Sequence, residues 1–511
     1  MNEPTQPHLA LYAAQAPDRP AVIMTDDGTI LTYAELDARS DALARQLAAS
    51  GVRAEDHVAI LMENRPDFMV AAWAAQRAGL YYTPVNWHLT ADEASYIVQD
   101  CGARVVLSSN ACSEMLDAVA TANPDVSIWL CDRGGASGFA PEGEAPQGVA
   151  YQSLEGSSMI YSSGTSGRPK GIKRRISGAP FGQLGAGDQM LRGLYAWDSD
   201  SVFLNPSPLY HAGPLNFAMS THRSGGTVVL MRDFDPVEAL AAIQDHRINK
   251  AWLVPTMMIR MLKVPDRERF DVGSMTHAVH TAAPCPRDTK RAMIDWWGPV
   301  LYEFYAATEG NGLTAITPQE WLEHPGSVGR SPDVRIVGEA GEVLPTGEVG
   351  VIYFASDWTV FEYHNDPEKT AEAHDSHGWT TIGDMGYLDQ DGYLYLTDRK
   401  TNMIIAGGVN IYPQEAENVL AVHPAVLDVA VIGVPHPEYG EEVKAVVQLD
   451  QGQVESDALA AELVAHCLGQ LAKYKCPRSV DFVEALPRMP NGKLIKRALR
   501  ARYWNDEKVV I

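Results

Sequence analysis

Helical and strand-like patterns alternate along the first hundred residues, and this alternation limits the fold more than any other feature of the sequence. Thr32 and Glu35 have the spacing of a capping box at the start of a helical run, which ends at Gly51. Residues 57–62 then form an apolar run that is typical of a buried strand. The order repeats with a helical run over 67–79, a strand over 81–85, a helix start at 90–93 and a strand over 105–107. Strands separated by helices predict a mostly parallel sheet that is covered on both faces.

The rest of the chain indicates a second, smaller domain. Residues 132–158 are rich in Gly, Pro, Ser and Glu, which is typical of a surface connection, and an apolar strand at 159–161 follows them. Turn residues separate short strands over 378–400. Beyond them, strands at 426–434 and 443–449 alternate with a helix at 457–471, which is enough for a small α+β domain.

We therefore predict the α/β class, in line with a length of 511 residues that exceeds one simple core. The predicted organisation is a large N-terminal domain of packed, partly parallel α/β sheets over 1–398. A boundary segment at 399–402 then leads to a small C-terminal α+β domain over 403–511. We find no internal repeat.

The charge balance limits the partners of the protein. The chain has 41 Lys and Arg against 65 Asp and Glu, a formal net charge of −24. Nucleic acids and anionic membrane surfaces would be repelled at long range, so we expect no nucleic acid partner. Two segments are basic although the whole chain is acidic. Residues 161–180 hold five basic and no acidic residues, and residues 470–502 hold nine basic and two acidic ones. A polyanionic ligand would have to bind at such local cationic patches.

Cysteine usage and the N-terminal sequence predict a cytoplasmic protein. The six cysteines include no C-x-x-C pair and no His at zinc-ligand spacing, so we interpret them as reduced thiols. The N-terminus lacks a basic segment followed by an apolar one, and no stretch reaches about 18 consecutive apolar residues. We expect neither secretion nor a membrane span. The sequence leaves the oligomeric state open, a homodimer included.

The most informative segment is residues 161–171, Tyr-Ser-Ser-Gly-Thr-Ser-Gly-Arg-Pro-Lys-Gly. Its glycines let backbone N–H groups approach phosphate oxygens, its hydroxyls add donors, and its lysine adds a cation. It does not fit the G-x-x-x-x-G-K-[ST] pattern of nucleotide triphosphatases. A flexible surface turn is the alternative interpretation. The candidate phosphate-binding residues are Ser162, Ser163, Gly164, Thr165, Ser166, Gly167 and Lys170.

This segment and eight others, in the same order, resemble the signature motifs of the adenylate-forming (ANL) enzymes. That superfamily includes AMP-forming acyl-CoA synthetases such as fatty-acid and bile-acid CoA ligases, peptide-synthetase adenylation domains and beetle luciferases. The eight further segments are residues 208–213, 281–286, 305–310, 326–330, 378–384, 398–400, 407–413 and 487–493. The resemblance covers nearly the whole chain.

The resemblance implies that the domain over 1–398 binds AMP and holds the acid, that residues 399–402 are a hinge and that the domain over 403–511 is mobile. It also implies a nucleotide site. It assigns Tyr305 to the adenine face and Thr308 to the α-phosphate, and it makes Glu309 the Mg²⁺ ligand. Asp384 would accept from the ribose hydroxyls with Arg399 as its partner. The wall of the adenine slot would be Ala282, Ala283 and Pro284, with Ala306 at a position where glycine is commoner. Without the resemblance, each of these residues is equally plausible as a strand end, a turn or plain packing.

The same resemblance implies a two-step ligase that uses ATP, Mg²⁺ and CoA. Lys493 would bind the carboxylate and the α-phosphate during adenylation and then leave, so that a thiol can attack the acyl-adenylate. The small domain would rotate at Thr401, where relatives commonly carry Asp or Lys. Rotation would bring Gly407 and Gly408 to the thiol tunnel, and Lys475 would meet CoA phosphates. Lys493 alone would otherwise be interpreted as a solvated lysine.

The acid itself is less defined. His211 lies in the histidine motif of the family and would gate the acid pocket, although a lone histidine is often structural. The other candidate pocket residues, each equally plausible as core, are Phe217, Gly225, Gly226, Met257 and Met258. The run over 399–413 is similar to ligases for fatty, bile or steroid side-chain acids and hints at a bulky hydrophobic carboxylate. Aryl acids and short branched acids are the alternatives.

Two other functions compete with CoA ligation. A stand-alone adenylating enzyme could load a phosphopantetheinyl carrier protein instead of CoA, although no carrier domain follows Ile511. A non-catalytic, nucleotide-binding regulatory protein is the third hypothesis. Lys170, Glu309, Asp384 and Lys493 are all present, and a pure binding protein would not need the last of them.

Overall fold

The computed structural model describes residues 8–133, 138–139, 149–162, 169–355, 361–399, 402–406, 409–488 and 494–504. The chain forms two compact units, each built from several stretches of sequence. Unit 1 comprises residues 1–253, 264–278 and 360–371, and unit 2 comprises residues 254–263, 279–359 and 372–511. This division is not at the predicted hinge, so the boundaries at 398 and 403 stay a prediction, and Thr401 lies outside the described residues.

The elements carry labels in chain order. The α-helices are α1 (Leu9–Gln15), α2 (Tyr33–Ala49), α3 (Pro66–Arg77), α4 (Ala91–Asp100), α5 (Ser113–Ala122), α6 (Ala186–Tyr195), α7 (Ala212–Ser224), α8 (Pro236–Asp245), α9 (Pro255–Leu262), α10 (Arg287–Trp297), α11 (Pro318–Glu323), α12 (Pro367–Glu372), α13 (Pro413–Leu420), α14 (Asp457–Leu468) and α15 (Lys496–Arg500).

The strands before the middle of the chain are β1 (Pro20–Met24), β2 (Ile30–Thr32), β3 (His57–Leu61), β4 (Tyr81–Pro84), β5 (Ala103–Ser108), β6 (Ser127–Leu130), β7 (Ser157–Ser158), β8 (Ile160–Ser162), β9 (Lys170–Lys173), β10 (Val202–Asn205), β11 (Thr227–Leu230) and β12 (Lys250–Leu253). The later strands are β13 (His277–His280), β14 (Leu301–Ala306), β15 (Leu313–Ile316), β16 (Val334–Val337), β17 (Gly350–Phe354), β18 (Glu362–Tyr363), β19 (Asp384–Leu388), β20 (Leu394–Arg399), β21 (Ile404–Ala406), β22 (Val409–Ile411), β23 (Val426–His436), β24 (Gly440–Leu449) and β25 (Ser479–Val483).

Unit 1 contains the parallel sheets that the helix–strand alternation predicts. One sheet has the order β6-β5-β3-β4-β7, and every neighbouring pair in it is parallel. Five other strands lie side by side in the order β12-β10-β11-β1-β2, and among them only β1 and β2 pair antiparallel. A small antiparallel sheet, β18-β9-β8, holds the two ends of the phosphate-loop segment. The predicted α/β class is confirmed.

Local signals explain where several elements begin and end. Thr32 and Glu35 form the predicted capping box at α2, and Thr90 and Glu93 form another at α4. Helix α3 is buried on all sides, as its largely apolar sequence requires. Helix α14 ends at Leu468, three residues before the predicted end, and Gly469 forms its C-cap.

Unit 2 contains antiparallel structure and a mixed C-terminal sheet. The pair β14-β15 and the sheet β16-β17-β19-β20 are antiparallel. The last part of the chain forms the order β22-β21-β24-β23, with β25 parallel to β24. Helices α13 and α14 supply Leu420 and Leu463 to the apolar core of this sheet. Among the described residues, no helix combines the length and apolar character needed to cross a membrane.

Candidate active site

In unit 1, the two ends of the glycine-rich segment are hydrogen-bonded strands. Strands β8 and β9 are antiparallel, and Ser162 is the register partner of Lys170. Residues 163–169 separate these two strands in the sequence. The predicted phosphate-binding residues among them lie outside the described residues: Ser163, Gly164, Thr165, Ser166 and Gly167.

Lys170 has partners that the sequence did not indicate. Its ammonium nitrogen lies 3.8 Å from a carboxylate oxygen of Asp366 and 5.3 Å from the ring centroid of Tyr363. Strand β18 brings these partners close, because Tyr363 is the register partner of Ile172 on β9. A partly exposed ion pair at this distance contributes at most about 1 kcal/mol. Lys170 can therefore exchange Asp366 for a phosphate at little cost.

A second contact anchors this small sheet. The hydroxyl of Tyr161 donates to the carboxylate of Asp100 at the end of α4, and the amide of Asn365 donates to the same carboxylate at 3.3 Å. Burial is the main cause that raises the pKa of Tyr161 above its usual value, so the hydroxyl stays a donor. The strands on both sides of the loop are thus fixed.

In unit 2, the structure brings three predicted nucleotide residues together. The hydroxyl of Tyr305 donates to Oδ2 of Asp384 at 2.8 Å. Asp384 is buried at the start of β19, and its register partner on β20 is Arg399, whose side chain lies outside the described part of the structure. The ring of Tyr305 packs on Phe354, with 6.1 Å between centroids and 27° between planes. An aromatic face and a buried acceptor next to each other suit a base and its ribose.

The predicted adenine wall leads from β13 into α10. Ala282 has a φ of +72°, a left-handed conformation that costs a non-glycine residue about 1–2 kcal/mol. Ala283 and Pro284 follow it. Such a conformation persists only where the surrounding structure enforces it, and it is frequent at ligand sites.

A buried ion pair ties α10 to β14 beside this wall. The ammonium of Lys290 donates to the carboxylate of Glu303 at 2.6 Å, and both side chains are buried. A ring nitrogen of His280 lies 3.4 Å from the same carboxylate. Burial, and then the charge of Lys290, lowers the pKa of His280, so that histidine is neutral. Glu303 lies two residues before Tyr305, so this pair also fixes the strand of the nucleotide residues.

Thr308 and Glu309 lie in the turn between β14 and β15. Ala306 ends β14 and is the register partner of Leu313, and the N–H of Gly310 donates to the carbonyl of Ala307 at 2.9 Å. Thr308 and Glu309 are partly exposed. One accessible carboxylate fits Mg²⁺, which usually keeps several waters and binds to one or two carboxylates plus substrate phosphates.

The predicted acid-pocket residues have packing roles. Phe217 lies 5.6 Å from Trp197 between ring centroids, in the apolar interior of unit 1. Gly225 ends α7 with a φ of +84°, and a Cβ there would lie 2.5 Å from the ring of Tyr12. A Cβ on Gly226 would lie 2.5 Å from a backbone oxygen. These positions favour close packing over an open cavity.

The remaining candidates for the acid pocket are in both units. His211 is the N-cap residue of α7, and its ring centroid lies 4.6 Å from that of Tyr210. Met257 and Met258 are buried on α9 in unit 2. The acid pocket therefore stays a prediction.

The predicted CoA residues are in the last part of unit 2. The ammonium of Lys475 is 2.8 Å from one carboxylate oxygen of Glu415, so it already has an anionic partner. Gly407 and Gly408 lie between β21 and β22, outside the described residues, as does Lys493. Their roles stay predictions.

Comparison with known proteins identifies the family. Residues 9–364 match the AMP-binding enzyme family, and residues 415–493 match the AMP-binding enzyme C-terminal domain. The chain is 32% identical over 508 residues to the long-chain-fatty-acid–CoA ligase FadD13 of Mycobacterium tuberculosis, with 97% of each chain covered. It is 34% identical over 491 residues to a feruloyl-CoA synthase of Amycolatopsis sp, covering 94% of this chain and 96% of the relative.

Solved structures agree with this result. The crystal structure of ATP-bound MatB from Rhodopseudomonas palustris has a TM-score of 0.79 and 30% identity, with 97% of this chain and 99% of that chain covered. The protein belongs to the AMP-binding enzyme family, within the adenylate-forming superfamily. It is an AMP-forming carboxylate–CoA ligase that uses ATP and CoA.

Proposed function

We propose that this ligase activates a hydrophobic carboxylic acid and that the residues described above divide the work of its two steps. The observation that carries the proposal is the Tyr305–Asp384 hydrogen bond opposite Arg399, because it places an aromatic face beside a buried carboxylate acceptor. A nucleoside needs both features, one for its base and one for its ribose hydroxyls.

The first step joins a carboxylate oxygen to the α-phosphorus of ATP and releases pyrophosphate. Two anions must approach, so positioning and charge neutralisation supply most of the rate enhancement. Lys170 would neutralise phosphate charge after it leaves Asp366, and Thr308 would donate to the α-phosphate. Lys493 would bind the carboxylate and the α-phosphate together as charge builds up between them.

Mg²⁺ would be held by Glu309 and by substrate phosphates, where it would supply charge neutralisation for the departing pyrophosphate. The partly exposed carboxylate at the turn supports this assignment. In the second step the CoA thiol attacks the acyl carbon and AMP leaves, which forms the thioester. Gly407, Gly408 and Lys475 are the proposed CoA residues, and Thr401 is the proposed hinge.

For the acid substrate we propose a chemical class and no single compound. Named relatives act on a long-chain fatty acid or form feruloyl-CoA, and both acids carry a large apolar portion next to the carboxylate. His211 is proposed to gate the acid pocket. The pocket roles of Phe217, Gly225, Gly226, Met257 and Met258 stay sequence-based predictions, and the contacts of Phe217, Gly225 and Gly226 favour core packing in unit 1. We also propose that the enzyme is cytoplasmic, which its six free cysteines support. A homodimer is proposed as well, and sedimentation velocity tests it.

The test is a panel of acids assayed for acid-dependent pyrophosphate release and for acyl-CoA formation. We expect fatty, steroid side-chain or aryl acids to give the highest kcat/KM. A preference for short polar acids such as acetate or malonate would contradict the proposed class. Transfer only to a phosphopantetheinyl carrier protein, with none to CoA, would contradict the proposed thiol.

A further inference from the structure

The segment that contains Lys493 has described residues on both sides of it, and these two sides meet. Arg488 and Leu494 form an antiparallel bridge, and the N–H of Ile495 donates to the carbonyl of Pro487 at 2.8 Å. Residues 489–493 therefore connect two points that backbone hydrogen bonding holds together. We call these paired flanks, residues 486–488 and 494–499, the base of the lysine loop.

An ion pair fixes the first side of this base. The guanidinium of Arg488 contacts both carboxylate oxygens of Asp428, with Nη2 2.6 Å from Oδ1 and Nε bonded to Oδ2. Asp428 is on β23, and its Oδ1 also accepts from the N–H of Val429 at 2.8 Å. Two-point contact of this kind fixes the orientation of an arginine as well as its distance.

A second ion pair fixes the other side. The ammonium of Lys496, the first residue of α15, lies 2.8 Å from Oε1 of Glu417, and the two side chains are 11% and 9% exposed. The same oxygen of Glu417 accepts from the N–H of Val431 at 2.7 Å. Glu417 therefore joins α13, β23 and α15 at one point.

Apolar contacts also hold the base of the lysine loop in place. Leu486 precedes the lysine loop and Leu499 follows it, and both belong to one buried cluster with Ile432. An ion pair thus fixes the first flank to β23 and the second to α13, and apolar contacts hold both flanks against β23. Each carboxylate is already oriented by a backbone N–H, so the ion pairs have little freedom to shift.

We propose that Asp428 and Glu417 are positioning residues that hold the base of the lysine loop and so place Lys493 for acid activation. This inference rests on the proposed function, in which Lys493 acts in adenylation and leaves before thioester formation. Loss of either carboxylate would remove one ion pair from the base of the lysine loop and would loosen it. The first half-reaction would then slow, whereas the second would not.

The test compares the two half-reactions in the full-length enzyme. Asp428→Asn and Glu417→Gln keep side-chain size and an oxygen acceptor for the backbone N–H, and they remove the charge. We expect acid-dependent exchange between ATP and pyrophosphate to fall about 100-fold, the effect of misplacing a reacting group by about 1 Å. Thioester formation from synthetic acyl-adenylate and CoA should stay close to that of the wild type.

One matched control variant and one graded variant complete the test. Asp450→Asn removes a different carboxylate of unit 2, which lies 2.5 Å from the ammonium of Lys263 and accepts from the N–H of Gln451, and it should leave both half-reactions unchanged. Arg488→Lys keeps the charge of the first pair but loses the two-point contact, so we expect an intermediate loss of exchange. Hydrogen–deuterium exchange of the peptide over 486–496 should be faster in Asp428→Asn and Glu417→Gln than in the wild type.

Different experimental results would contradict the proposed function and this inference. A wild-type enzyme without acid-dependent pyrophosphate exchange would contradict the proposed function. If the wild type is active and Lys493→Ala loses only the first half-reaction, two results overturn the inference. One is equal loss of both half-reactions in Asp428→Asn and Glu417→Gln, and the other is no loss in either.

Discussion

Removal of one hydroxyl tests the nucleotide site in unit 2. Tyr305→Phe keeps the aromatic ring that packs on Phe354 but deletes the donor to Asp384, which is 2.8 Å away. A hydrogen bond to a charged acceptor contributes about 1.5–3 kcal/mol, and about 1.4 kcal/mol is a tenfold change in an equilibrium constant. We therefore expect the Kd of ATP to rise between about 10- and 100-fold.

The assay is calorimetric titration with a non-hydrolysable ATP analogue, followed by the KM for ATP in the exchange reaction. Both constants should rise together, while kcat at saturating ATP changes little, because the lost hydrogen bond fixes Asp384, which orients the nucleotide and not the reacting acid. Tyr387→Phe is the matched control. Tyr387 lies on the same strand as Asp384 and stacks on Tyr395 at 5.0 Å between centroids, so its loss of a hydroxyl should not affect ATP.

A fall in kcat with an unchanged KM would refute this reasoning. It would mean that the hydroxyl of Tyr305 acts on the chemical step and that Asp384 does not hold the nucleotide. An equal effect of Tyr387→Phe would show that any perturbation of the sheet changes ATP binding. Urea denaturation of both variants separates a loss of binding from a loss of folded protein.

Two ion pairs and one buried histidine have measurable effects on stability and on ATP affinity. Lys290→Met leaves Glu303 buried without its cation and should lower the free energy of unfolding by about 3–5 kcal/mol, measured in urea, and a Lys290→Met, Glu303→Leu double variant should regain much of it. Asp366→Asn should change that free energy by less than about 1 kcal/mol, because the pair with Lys170 is long and partly exposed, and should lower the KM for ATP. An unchanged or higher KM would contradict this account of Lys170. Burial lowers the pKa of His222 from 6.5 to about 4, so the stability it contributes is complete above pH 6.5 and declines as the pH falls from 6.5 to 4. Measured from pH 8 to 4, the decline should be smaller in His222→Gln, and an equal decline in both proteins would contradict this assignment.

Local signals in the sequence predicted much of the fold. The capping boxes at Thr32 and Thr90 mark their helices because the signal lies within four residues of chain. The parallel sheets follow from strands separated by helices, since such connections rarely allow another arrangement. The Asp384–Arg399 pairing was expected from the family motifs, and the register of β19 and β20 brings the two positions together.

Long-range contacts could not be predicted in the same way. Asp366 meets Lys170 only because β18 pairs with β9, and nothing in either segment specifies that partner. The Lys290–Glu303 pair has no sequence signal either, because a charged residue in a helix is usually on a solvated face. The two compact units combine distant stretches of chain, which composition along the sequence does not reveal.

The most direct test of the central assignment is the stoichiometry of the reaction. The purified protein is incubated with ATP, Mg²⁺, CoA and a hydrophobic acid, and the products are separated by chromatography. We expect equal amounts of AMP, pyrophosphate and acyl-CoA, with AMP formation dependent on the acid. Formation of ADP and phosphate, or AMP formation that is independent of the acid, would contradict it.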